Sequence, residues 1–115
     1  MLGTTFGGNH LACTAALAVL EIIENEHLIE NAAKIGDYFA EAFKNDKALK
    51  EYRGKGLMIG MELKDEHVGL RDRLLFERHF FTGAAGAQVI RLLPSLTISQ
   101  ETAESFVKNW KELTL

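Results

Sequence analysis

The chain has 115 residues, of which 47% are hydrophobic and 25% charged, and its formal net charge is -3. This is one domain's worth of ordinary globular composition, long enough to bury a core without disulfides or metals. Its lysines and arginines are scattered rather than gathered in a stripe, which argues against nucleic acid or an anionic membrane surface as partners.

Residues 1–5, Met-Leu-Gly-Thr-Thr, carry no positive charge, so no signal peptide is expected. Cys13, the single cysteine, cannot form an internal disulfide, which fits a reducing cytoplasm. Gly3-Thr4-Thr5-Phe6-Gly7-Gly8 reads as a loop, and Asn9 can cap a helix starting at His10. Residues 10–24 are rich in Ala and Leu and predict a helix that is apolar nearly all round. Such a helix must be buried on most sides, and Cys13 with it. The apolar run Leu11–Leu20 is shorter than the ~20 residues of a membrane span.

Leu28, Ala32, Ile35, Phe39 and Phe43 recur at helical spacing and predict an amphipathic helix over 28–45. Arg53-Gly54-Lys55-Gly56 reads as a turn-like break, and 57–63 as a strand. Residues 69–79 suit a short helix with Leu70, Leu74, Leu75 and Phe76 inward. Residues 79–82 could form a strand, with Gly83-Ala84-Ala85-Gly86 a plain turn after it. A strand over 88–93 ends at Pro94. Ser99 caps a last helix over 100–113, whose apolar stripe is Ala103, Phe106, Val107, Trp110 and Leu113. The expected fold is α+β, a small mixed or antiparallel sheet covered by helices.

Chemistry-bearing patterns are few. His10, His27, His67 and His79 lack the spacing of a zinc site, and no phosphate-loop or dinucleotide glycine pattern occurs. The Thr-rich glycine loop before a helix could hold a phosphate with its hydroxyls, its amides and the helix N-terminus. The plainer reading of the loop by itself is that its threonines satisfy their own backbone. Arg91 stands inside the apolar strand Val89-Ile90-Arg91-Leu92-Leu93. Either it faces solvent on an edge strand, or its planar fork grips a carboxylate.

Three stretches in order, Gly3–Leu20, Arg53–Leu63 and Val89–Ser99, together resemble the acetylornithine/ornithine type of the class III aminotransferases. Thr82-Gly83-Ala84-Ala85-Gly86 fits the acetylornithine version. His10 and Ser95 stand where the family usually has proline, and residues 64–79 diverge.

The resemblance implies the C-terminal small domain of a fold-type I enzyme that uses pyridoxal 5'-phosphate. Residues 1–24 would be an interface loop and helix leading from the large domain, and 25–115 the small domain. Thr5 matches the threonine that binds the cofactor phosphate of the neighbouring subunit in a homodimer. Thr4 matches a position near the bound substrate, and Arg91 the arginine that grips its carboxylate. The implied reaction moves the amino group of N-acetylornithine, or a related ornithine derivative, to 2-oxoglutarate in cytoplasmic arginine biosynthesis. The family's cofactor lysine lies upstream, and no lysine here matches it, so no catalytic residue is assigned and the chain alone is expected to be inactive. The alternative is a stand-alone, non-catalytic domain that dimerises or binds a partner through its apolar first helix.

Overall fold

A computed structural model describes residues 3–115. Asn9 begins helix α1 (His10–Asn25), its side chain accepting from the Ala12 amide at 2.9 Å. Helix α2 (Leu28–Phe43) follows after a tight turn at His27, whose φ of 53° is left-handed. The chain then forms β1 (Leu49–Lys55), β2 (Met58–Leu63), a single 3-10 turn over Asp65–His67, helix α3 (Leu70–Arg78), β3 (Gly83–Ala84), β4 (Val89–Leu92) and helix α4 (Gln100–Leu113). Ser99 caps α4 by accepting from the Thr102 amide. All pairings are antiparallel and the strand order is β1-β2-β4-β3. The fold is α+β, with the expected mixed or antiparallel sheet proving antiparallel throughout.

One face of the sheet is the core. Ile59, Met61 and Leu63 of β2 alternate inward, as do Ile90 and Leu92 of β4, and all are buried. Phe39 and Phe43 from α2 and Phe106 and Trp110 from α4 pack over them, Phe43 and Trp110 edge to face with ring centres 5.1 Å apart. The buried indole donates to Asp46 Oδ2 at 3.1 Å, which ties α4 to the segment between α2 and β1. Burial of Tyr52 beside this cluster pushes its hydroxyl pKa up to about 12. The other face carries Glu51, Arg53, Met58, Glu62 and Arg91 and is open.

Several expectations need correction. The break expected at 53–56 is narrower, because β1 runs through Lys55 and only Gly56-Leu57 turn, with Gly56 at φ 55°. Residues 79–82 are not a strand. His79 ends α3 at φ 60°, and its amide and that of Phe80 bond back to the carbonyls of Leu75 and Leu74. The short strand falls instead on Gly83–Ala84, in place of the expected plain turn. In α3 only Leu70 and Leu74 are buried, while Phe76 is 75% exposed.

Cys13 is exposed rather than buried, and α1 has no buried residue at all. Its main neighbour is α2, and Leu11, Leu17 and Leu20 lie open. No helix among the described residues is long and apolar enough to cross a membrane, and they hold no metal-binding cluster.

Candidate functional site

The open face of the sheet is organised around one row. Across the strands, Arg53 of β1 pairs with Gly60 of β2, Gly60 with Arg91 of β4, and Arg91 with Gly83 of β3. Cβ atoms alternate between the faces of a strand, so the members of such a row share a face. Both cross-strand neighbours of Arg91 are therefore glycines. A Cβ on Gly83 would stand 3.4 Å from Arg91 Nε, and one on Gly60 would stand 3.6 Å from Arg53 Cγ. Each arginine thus lies over the glycine beside it.

Arg91 is exposed and makes no salt bridge or side-chain hydrogen bond among the described residues. It rims a cleft of about 350 Å³ whose walls include Phe39, Phe80, Thr82, Leu93 and Phe106. Arg91 is the one charged residue among those lining it. A permanently charged, planar donor fork with no partner, standing over bare backbone, can receive a carboxylate in two places. Thr82 is 7% exposed, and its Oγ1 is the one buried side-chain polar atom without a partner among the described residues.

The threonine loop is a separate site. Thr4 and Thr5 are exposed, and neither hydroxyl makes a hydrogen bond among the described residues. They do not cap their own backbone. Instead Asn9 secures the loop, donating from Nδ2 to the Phe6 carbonyl at 2.7 Å. Hydroxyls in the segment that leads into a 16-residue helix can donate to the oxygens of a phosphate. The cleft beside Arg91 contains neither threonine, so the chain does not bring Thr4 or Thr5 to Arg91 within one cavity.

Two features of this face are not evident from the sequence pattern. One is the glycine pair flanking Arg91. An isolated glycine inside a strand pattern signals close approach of something to the backbone, and Gly60 gives that signal. The register that sets it beside Arg91 is not visible in the sequence. The other is the ion-pair cluster in which Arg53 Nη1 meets Glu51 at 2.8 Å and Glu62 at 3.3 Å.

The same architecture occurs in solved aminotransferases. An acetylornithine aminotransferase from Elizabethkingia anophelis superposes with a TM-score of 0.81 at 30% identity, over 99% of this chain and 32% of that one. An ornithine aminotransferase from Toxoplasma gondii, described with partial occupancy of PLP at its active site, gives 0.81 at 26% identity over 96% of this chain and 28% of that one. The fold is thus that of a region of the pyridoxal-phosphate-dependent aminotransferases.

The family model for Aminotransferase class-III matches residues 1–113. Acetylornithine aminotransferase from Archaeoglobus fulgidus is 41% identical over 106 residues, which are 92% of this chain and 27% of that protein. Ornithine aminotransferase from Bacillus subtilis is 35% identical over 113 residues, 96% of this chain and 28% of that protein. The chain belongs to the class III aminotransferase family, whose members depend on pyridoxal phosphate. It spans a little over a quarter of the length of these relatives.

Proposed function

We propose that this chain is the C-terminal part of an aminotransferase that moves the amino group of N-acetylornithine, or a close ornithine derivative, to 2-oxoglutarate. The observation that carries this is Arg91: a guanidinium unpaired among the described residues, on a glycine-flanked sheet face, in a chain similar to acetylornithine and ornithine aminotransferases. Both substrates present a carboxylate, and one arginine can hold each in turn in a ping-pong cycle.

We assign the carboxylate to Arg91, a place near the substrate to Thr4, and the cofactor phosphate of a neighbouring subunit to Thr5. Residues 1–24 would lead from the large domain and 25–115 form the small domain. The bare apolar side chains of α1 support this division, since a buried interface would cover them. The enzyme would be a cytoplasmic homodimer of arginine biosynthesis.

When bound, pyridoxal phosphate supplies an electron sink for the substrate's Cα. No lysine here matches the one that carries it in the family, so the chain alone should not transaminate. An assay of the full-length protein with acetylated, succinylated and free ornithine and with 4-aminobutyrate tests the proposal. Turnover favouring acetylornithine is expected, and no turnover with any of the four would refute it. The stand-alone domain would show that second result while still self-associating through α1.

A further inference from the structure

Arg91 is without a partner among the described residues, although a carboxylate stands close by on the same face. Glu62 pairs with Val89, two residues from Arg91 along β4. Such diagonal neighbours lie about 7–8 Å apart, within reach of long side chains. The residue opposite Arg91 on β2 is Gly60, so β2 itself puts no side chain between them. On distance and charge alone, Glu62 is the natural intramolecular partner of Arg91.

Arg53 takes that place instead. Its Nη1 lies 3.3 Å from Glu62 and 2.8 Å from Glu51, and those two glutamates face each other directly across β1 and β2. Opposed like charges destabilise a strand pair, and the guanidinium between them relieves this. The Arg53 side chain also runs over Gly60, filling the space across which Glu62 and Arg91 could meet. Arg91 leans the other way, over Gly83.

We infer that Arg53 is a positioning residue that holds Glu62 away from Arg91 and so keeps the Arg91 guanidinium open to a carboxylate ligand. This rests on the assignment of Arg91 as the carboxylate anchor. Because Arg53, Glu51 and Glu62 are all partly exposed, each contact is weak and screened by salt. The effect should therefore be a partial loss of ligand affinity.

The test uses the chain itself, with acetate as probe and the Arg91 Nε–Hε signal in nitrogen-15 NMR as readout. In the unchanged protein acetate should move that signal. In Arg53→Gln the signal should already be shifted without ligand, and acetate should bind more weakly at low salt by up to about fivefold, the upper end of surface pair strengths. Adding Glu62→Gln to Arg53→Gln should restore both the free position and the affinity to within about twofold. A merely structural role for Arg53 predicts no such rescue.

Failure of Arg53→Gln to change either readout, or failure of Glu62→Gln to reverse the change, would overturn the inference. The two assignments fail separately. If acetate never moves Arg91 but Arg53→Gln still pairs it with Glu62, the carboxylate anchor is wrong while the gatekeeping contact stands.

Discussion

Gly83 lies opposite Arg91 in the β3–β4 register, and a Cβ on Gly83 would stand 3.1 Å from the Arg91 carbonyl oxygen and 3.4 Å from its Nε. The glycine is the floor on which the guanidinium rests. Gly83→Val should tilt Arg91 off that floor. In the full-length enzyme KM for amino donor and oxo acid should rise together, with a loss in kcat/KM on the order of tenfold for a small misplacement. Unchanged kinetics with an intact fold would show that the contact does not position Arg91.

A second glycine serves packing. Gly36 of α2 touches the β1–β2 turn so closely that a Cβ there would lie 2.5 Å from the Gly56 oxygen and 2.7 Å from its Cα. Alanine normally favours a helix over glycine by about 1 kcal/mol. Here the obstacle is backbone, so α2 would have to lift off the sheet. Gly36→Ala should lose about 1–3 kcal/mol in urea unfolding, the range for overpacking. A gain in stability would contradict the contact.

Tyr52 makes stability depend on alkaline pH. Its pKa is raised from 10.0 to about 12 because burial disfavours the phenolate. A raised folded-state value means that the contribution is fully present below pH 10 and is lost as pH rises through about 12. Tyr52→Phe keeps the stack on Phe43, with ring centres 6.3 Å apart, and removes the titration. Over that window the variant's urea midpoint should fall less steeply than the parent's. Equal slopes would place the Tyr52 hydroxyl in solvent.

Thr5 lies in the turn that leads to α1, and its hydroxyl is unengaged among the described residues. A hydrogen bond from it to a phosphate would be charge-assisted and worth roughly 1.5–3 kcal/mol. Thr5→Ala in the full-length protein should therefore weaken pyridoxal phosphate retention on the order of tenfold or more, read by dialysis and absorbance. Unchanged retention would remove Thr5 from the phosphate site.

The helices and inner strands are legible in the sequence because their signals are local. The stripe Ala103–Leu113 of α4 and the run Ile59–Leu63 of β2 state their period and burial directly. β1 is not legible, because Lys50, Glu51, Arg53 and Lys55 leave only Leu49 and Tyr52 to mark an inward face, which suffices for an edge strand. The exposure of Cys13 is hidden for a different reason. A helix apolar all round demands a cover, and the sequence of this chain holds no element to provide it. Arg91 is legible as an anomaly, a charge in an apolar strand, and the resemblance gives it a role. Its glycine neighbours and its distance from Glu62 depend on strand register, which no local pattern encodes.

The most direct measurement is the steady-state kinetics of Arg91→Lys in the full-length enzyme. Lysine keeps the charge but loses the planar fork, so it should not replace a bidentate grip. Losing a charge-assisted pair worth roughly 1.5–3 kcal/mol should lower kcat/KM for acetylornithine and for 2-oxoglutarate alike, by about tenfold to a hundredfold. Parental kcat/KM for both substrates would contradict the account and leave Arg91 a strand residue with no part in binding.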